Sequence, residues 1–242
     1  MKTKTMFSKI LAWTLTLAMM LSVLPGMMMP VSASTMSDGT FSGGLGTQAA
    51  PYLIATVEDL TNLRTRANST GANGTNPAGT LYRNAHYMQI ADIDLTGTPW
   101  TPIGTSTTAP FGGVYDGGNY NISNMSMSPN NSGLFNAISG ATLRNINLMS
   151  INIGNASSTS YTGGVVNRAQ NSSRIENIFV SGNITINSTG IGDIGGVVGA
   201  MEGGGTLQNC RSAVVISITT FTGSSTGTLH IGGIVEIGRA HV

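Results

Sequence analysis

Gly195-Gly196-Val197-Val198-Gly199, followed by Gly205-Thr206-Leu207-Gln208-Asn209-Cys210, is the stretch whose reading decides the fold. Thirty-two residues earlier stand Gly163-Gly164-Val165-Val166 and Ile175-Glu176-Asn177-Ile178, and a further 32 before the latter lies Leu143-Arg144-Asn145-Ile146. Ile184 and Ile186 match Ile216 and Ile218 at the same offset. Gly133-Leu134-Phe135 precedes the series and Gly232-Gly233-Ile234-Val235 follows it. The step from Gly196 to Gly233 is 37, which places five added residues in the Thr/Ser/Gly stretch 219–228. A fixed period of this length marks a repeat architecture.

The units read as strands. Apolar and polar residues alternate in Ile151-Asn152-Ile153, Ile184-Thr185-Ile186 and Ile216-Ser217-Ile218, the two-residue period of a strand with one buried face. Gly, Asn and Ser punctuate the runs and tolerate the left-handed backbone of tight corners. One such set cannot bury its aliphatic face alone, but stacked on its neighbours at roughly 4.8 Å per layer it can. The expectation is an all-β fold, a right-handed parallel β-helix (solenoid). A propeller needs about 40–45 residues and four strands per blade, a pattern not found here. The asparagines at 145, 177 and 209 are expected to form an amide ladder along the stack. Cys210 falls in the column of Ile146 and Ile178, so it reads as a small buried hydrophobe and not as a nucleophile.

Composition agrees. The 242 residues include 33 glycines and one cysteine, with 9% charged and 40% hydrophobic side chains. The glycines keep no three-residue period, which excludes collagen. A single cysteine excludes a disulfide framework, and the absence of a basic patch argues against nucleic acid as a partner. Recurrent Val, Ile and Leu with low charge fit disorder poorly.

Lys2, Lys4 and Lys9, the apolar run Ile10 to Leu24, and Val31-Ser32-Ala33 make a three-part secretory signal peptide over 1–33. The run is short for a membrane span, so contact with a membrane is expected only through this leader. Removing it takes every lysine and leaves eight arginines against ten acids, a net charge of −2 from the chain's +1. The tail Ile237-Gly238-Arg239-Ala240-His241-Val242 matches the six residues that a common sequencing adapter encodes in one frame, so 237–242 is expected to be an artefact and the repeats truncated.

Between these ends, 34–110 reads as a capping region and 111–236 as the repeats. Thr56-Val57-Glu58-Asp59 has the form of a helix start, with Thr56 as N-cap and Val57, Leu60 and Leu63 on one face. A short helix there would shield the open end of the stack. Residues 70–80 read as a loop, and Tyr87 to Leu95 as one strand with Ile93 and Leu95 opposite Asp92 and Asp94.

The stretch 196–199 with Gly205 to Cys210 resembles the GLUG motif, and 164–167 with 174–178 and 133–136 with 141–146 resemble diverged copies. Pro51-Tyr52-Leu53-Ile54, Trp100-Thr101-Pro102-Ile103-Gly104 and Phe111-Gly112-Gly113-Val114-Tyr115-Asp116-Gly117 are similar to the region that precedes such repeats. The resemblance, covering roughly Phe41 to Glu236, implies an exported bacterial protein, secreted or at the cell surface, with no defined reaction. Asn167 and Glu236 stand where the motif has its second glycine.

Chemistry is sparse. Glycoside hydrolysis needs two carboxylates flanking one bond, and Asp92 and Asp94 are the one close same-face pair. His86 and His230 match no metal spacing, and no P-loop, Rossmann fingerprint or Gly-x-Ser-x-Gly elbow is present. The expectation is therefore no catalytic residue, no metal, no cofactor and no enzyme, but an adhesin-like or structural stalk binding a glycan or a host surface. Trp100, Tyr115, Asp116 and Tyr120 are the candidate ligand-binding residues: the rings stack on sugars where they are exposed, although large aromatics are usually buried. The alternative is a fragment of a secreted carbohydrate-active or other hydrolytic enzyme, its catalytic part missing or at Asp92, Asp94 and Asp116.

Overall fold

Why the repeat becomes a stack is visible at its corners. Asn145, Asn177 and Asn209 take the left-handed conformation, with φ of 55°, 54° and 52°. At each, one residue is consumed in the bend, so the two-residue alternation slips by one and the same face stays inward. Leu143 is buried before the Asn145 corner and Ile146 and Leu148 after it; Ser150 (φ 55°) repeats the device, and Ile151 and Ile153 are buried beyond it. Asn tolerates this backbone better than other residues with a Cβ.

The computed structural model describes residues 39–105, 109–127, 132–157, 161–188, 192–221 and 229–236. The leader 1–33 and the tail 237–242 lie outside them. The first half runs β1 (Tyr52–Ile54), helix α1 (Val57–Ala67), β2 (His86–Gln89), β3 (Ile93–Asp94), β4 (Pro99–Trp100), β5 (Val114–Asp116), β6 (Asn121–Ser123), β7 (Ser126–Met127) and β8 (Phe135–Ser139). The second runs β9 (Thr142–Ser157), β10 (Thr162–Gly163), β11 (Val166–Gln170), β12 (Arg174–Ser188), β13 (Gly192–Gly195), β14 (Val198–Met201), β15 (Thr206–Gln208), β16 (Arg211–Phe221), β17 (Leu229–Gly232) and β18 (Val235–Glu236). The architecture is all-β with one α-helix among the described residues.

Every pairing between these strands is parallel, and they form three sheets. The largest runs β1-β2-β5-β9-β12-β15, with β16 also beside β12; the others are β10-β13-β17 and β18-β14-β11-β8. The 32-residue offset is the register itself: Val166 faces Val198, Ile175 faces Leu207 and Ile184 faces Ile216. Between β9 and β12 it holds at 32 up to Val180 and falls to 31 at Gly182, where β9 carries one extra residue. Aliphatic columns result, Ile178 on Ile146 and Val180 on Leu148, and they fill the core of the repeats.

The earlier rungs are filled by rings. Phe41 lies 4.4 Å from Tyr52 between ring centroids, Tyr52 lies 5.5 Å from Tyr87, and Phe111 lies 5.1 Å from Phe135. Helix α1 starts as its sequence requires. Asp59 N–H donates to Thr56 Oγ1 at 3.1 Å and Thr56 N–H donates to Asp59 Oδ2 at 3.0 Å, a reciprocal capping box. The buried Asp59 carboxylate also accepts from Ser42 N–H, Ser42 Oγ and Ala55 N–H, tying the preceding loop to the helix. Leu60, Leu63 and Ala67 form its buried face.

One local expectation is corrected. Tyr87 to Leu95 is not one strand but β2 and β3 with a break at 90–92. The buried Gln89 side chain donates to the Ala91 and Asn121 carbonyls and accepts from Tyr115 Oη, and this network turns the chain where a continuous ladder would have run straight. No helix among the described residues is long and apolar enough to cross a membrane.

The corner asparagines generate the first test. Asn177 combines a φ of 54° with two amide bonds, to Asn145 at 3.1 Å and from Asn209 at 3.2 Å. Asn177→Ala should lower the unfolding free energy by about 1–2 kcal/mol. Asn177→Gly, which restores the backbone freedom but not the amide, should cost less. Urea unfolding of the two variants checks this; equal losses would show that the left-handed corner is not what the site requires.

Candidate functional site

The amide ladder does not end on another asparagine. Asn209 donates to Asn177, Asn177 donates to Asn145, and Asn145 Nδ2 donates to Asp116 Oδ1 at 2.9 Å. Asp116 closes β5, next to Gly117, and is nearly buried. Arg144 Nε donates to its other oxygen at 2.7 Å, and Gly118 N–H to Oδ1 at 3.0 Å. Burial alone would raise this carboxyl, but the bonds from Asn145, Gly118 and Arg144, with the guanidinium charge, hold it below the usual carboxylate range.

The other sequence candidates go elsewhere. Trp100 is fully buried, its Nε1 donating to the Leu134 carbonyl at 3.2 Å and the Arg64 guanidinium standing 5.2 Å over its ring. Tyr115 is also fully buried, with Oη donating to Gln89 Oε1 at 3.1 Å; burial and the neighbouring Asp116 charge push its phenol well above the ordinary tyrosine value. Neither ring presents a face to a sugar, because the early rungs need their volume as core. Tyr120 is exposed. The four candidates therefore divide into two core rings, one buried carboxylate in an ion pair and one surface ring.

Asp92 and Asp94 are both exposed on β3 or its flank, as the alternation requires. Asp92 accepts from Asn121 N–H at 2.8 Å. Asp94 accepts from Asn124 Nδ2 at 2.9 Å, Thr96 Oγ1 at 2.7 Å and Thr96 N–H at 3.0 Å, and these bonds lower its pKa. Asp116 keeps its own partners, Arg144, Asn145 and Gly118. A general acid working near neutral pH needs a raised carboxyl, whereas Asp94 and Asp116 are shifted downward.

A second polar cluster was missed in the sequence. Arg168 on β11 clamps Glu202 with Nε to Oε1 at 3.1 Å and Nη2 to Oε2 at 2.7 Å, while Gln170 reaches Glu202 at 3.4 Å. Arg168 also stands 5.3 Å over the Tyr161 ring. Burial pushes Glu202 up, but the Arg168 bonds and charge, with Gln170 and Tyr161, bring it below its ordinary value. On the neighbouring strands β13 and β17, His230 Nδ1 lies 2.8 Å from Asp193 Oδ1. The 32-residue frame carried a signal: Gln170 and Glu202 are one period apart. Among the described residues no three His, Cys, Asp or Glu side chains gather as a metal site requires, and His86 and His230 lie on β2 and β17, which share no sheet.

Comparison with known proteins places the chain beside proteases. A family model described as the M26 IgA1-specific metallo-endopeptidase N-terminal region matches residues 72–182. The chain is 31% identical over 144 residues to the immunoglobulin A1 protease of Streptococcus sanguinis, covering 59% of this chain and 7% of that protein. It is 32% identical over 127 residues to a protein of Evansella cellulosilytica provisionally named as a Gly-rich membrane protein, covering 48% of this chain and 13% of the relative. A crystal structure of a Bacteroides ovatus protein, provisionally named as an immunoglobulin A1 protease, overlays with a TM-score of 0.42 at 17% identity, over 82% of this chain and 88% of the other. The chain thus spans a small part of the length of the curated relatives it matches.

These findings overturn three expectations. The family model that matches is the protease region and not a GLUG-motif family. The adhesin-like stalk reading gives way to the hydrolytic-enzyme alternative, since the match and the streptococcal relative both carry protease names. The non-enzyme expectation falls with it. For the metal that such a family implies, the described residues do not supply a fitting ligand set.

Asp116 yields a pH test. Its folded pKa lies below its unfolded value of about 3.9, so its stabilisation is complete above about pH 5 and is lost as pH falls through the folded value. The urea midpoint should fall between pH 5 and pH 2.5. Asp116→Asn should be less stable at pH 7 and show a shallower decline over that range. Parallel declines in the two proteins would remove Asp116 from the acid response.

Proposed function

We propose that this chain is a non-catalytic N-terminal segment of an exported bacterial metallo-endopeptidase of the immunoglobulin A1 protease kind, in which stacked rungs form a spacer or platform for a catalytic part elsewhere in a longer polypeptide. The observation that carries the reading is the family match over 72–182, which takes in the strands from β2 to β11 and the first half of β12. The streptococcal relative supports it, and the short share of that relative covered fits a segment of a large protein. The described residues support the non-catalytic assignment: their lowered carboxyls at Asp94, Asp116 and Glu202 are engaged by donors, and their histidines are dispersed.

The form of the platform belongs to the same proposal. Parallel strands that recur at a step centred on 32 residues, linked by left-handed corners, are supported best by a right-handed coil, a parallel β-helix over 111–236 with 34–110 as its capping region. Each turn advances roughly 4.8 Å, so added repeats lengthen the platform without altering its cross-section.

The test uses the protein encoded by the whole gene. It should cleave immunoglobulin A1, cleavage should stop when a chelator removes the metal, and the 242-residue chain alone should leave the substrate intact. Deleting 72–182 from the whole protein should slow cleavage of intact immunoglobulin more than cleavage of a short peptide spanning the same bond. A whole protein that leaves immunoglobulin A1 uncut would overturn the assignment. Chelator-sensitive cleavage by the 242-residue chain would overturn the non-catalytic role.

A further inference from the structure

The two ends of the stack are finished differently. At one end α1, the loop from Phe41 and the ring cluster cover β1 and its neighbours. At the other, the inward columns come to the surface. Ile186 is 1% exposed and its register partner Ile218 is 42% exposed. Ile194 is 2% exposed and its partner Ile231 is 47% exposed. Val197, which donates its N–H to the Ile234 carbonyl, is fully buried, and Ile234 is 36% exposed. These are core positions of the repeat, left without the layer that covers each earlier rung.

Two further observations concern the same edge. A Cβ at Gly164 would meet the next rung's carbonyl, Gly196 O, at 2.4 Å, and one at Gly196 would meet Ser212 Oγ at 2.1 Å and the next rung's Gly233 O at 2.3 Å. Neither needs a positive φ, so the constraint is closeness alone. Gly233, next in the column, has nothing within 4 Å of such a Cβ. It keeps a space that nothing described in this chain fills. In the amide ladder every donor points back one rung, Asn209 to Asn177 and Asn177 to Asn145, so the pattern continues with an amide donated to Asn209 Oδ1.

We infer that the face formed by β16, β17 and β18 is the seat of a further rung of the same polypeptide, laid parallel and in register. That rung places aliphatic side chains over Ile218, Ile231 and Ile234, donates an amide to Asn209 and brings a carbonyl against Gly233. The inference rests on the reading of this chain as part of a longer protein, and it specifies how that protein continues. Three independent features, exposed columns, a glycine kept clear and a directional ladder, all match the interface each earlier rung makes with its successor. A second copy meeting this face end to end would run its strands antiparallel to the edge and would not reproduce the glycine and asparagine contacts.

Hydrogen–deuterium exchange on the 242-residue chain and on the whole natural protein tests this without any substitution. Amides in 211–221 and 229–236 should exchange at least tenfold more slowly in the whole protein, and binding of an apolar fluorescent dye should fall. Gly196→Ala should lower the urea midpoint of both proteins. Gly233→Ala should lower it only in the whole protein. Equal exchange in the two proteins, or a Gly233→Ala variant silent in both, would overturn the inference. So would a concentration-dependent dimer of the 242-residue chain that protects the face. A whole protein that cleaves immunoglobulin A1 yet leaves 229–236 unprotected sinks this inference alone; one that fails to cleave but protects the face sinks the protease assignment alone.

Discussion

The close approach of one backbone to the next is the contact on which the rest of this structure depends. Gly164 lies so close to the Gly196 carbonyl, and Gly196 to that of Gly233, that a single methyl group would meet oxygen at 2.4 and 2.3 Å. That closeness lets β10, β13 and β17 pair in the middle of each rung while β11, β14 and β18 pair directly after. Given it, residues of the repeats pair with partners about one period away. Aliphatic columns, the asparagine ladder and the Arg168–Glu202 clamp are all contacts between one rung and the next.

The two halves meet this demand with different chemistry. Where the period holds at 32, identical small aliphatics stack, as Ile178 does on Ile146. Before Phe135 the strands are two to four residues long and irregularly spaced, and one register column is aromatic, with Tyr52 facing Tyr87 and Tyr87 facing Tyr115. Large rings fill the unequal spaces instead, and polar tips are satisfied inside: Tyr87 Oη by donating to the Tyr82 carbonyl, Tyr115 Oη by Gln89, Trp100 Nε1 by Leu134. This is why residues that read as sugar-stacking candidates became core.

What the sequence made legible follows the same division. Period, strand direction, the Asn ladder and the Thr56 cap all rest on short-range rules or on exact repetition, and all are present. The end of the ladder was not legible, because Asp116 stands 29 residues before Asn145 and so outside the 32-residue frame. The Arg168–Glu202 clamp spans 34 residues, two more than the period, since the long guanidinium reaches along its own strand edge. Cys210 was placed in the right column but is only half-buried, because that column ends there; burial against Ile175 and its neighbours still pushes its thiol up.

The mistaken family resemblance has a physical origin in the same constraint. A Gly-Gly-Val-Val run followed by an aliphatic, an asparagine and a small apolar residue is what rung stacking itself selects. Glycine is needed where carbonyls approach, Asn where the chain turns through a left-handed corner, and an aliphatic where a column is buried. Asn167 shows how little the motif's identity matters. It stands where the motif has glycine, is buried, and is accommodated by accepting from Gly163 N–H and Ser132 Oγ and donating to the Ser132 carbonyl. A pattern dictated by stacking reports the fold and carries no information about the reaction of the protein in which it is embedded. The match over 72–182 takes in the irregular loops and short strands between 72 and 133 as well as part of the repeats.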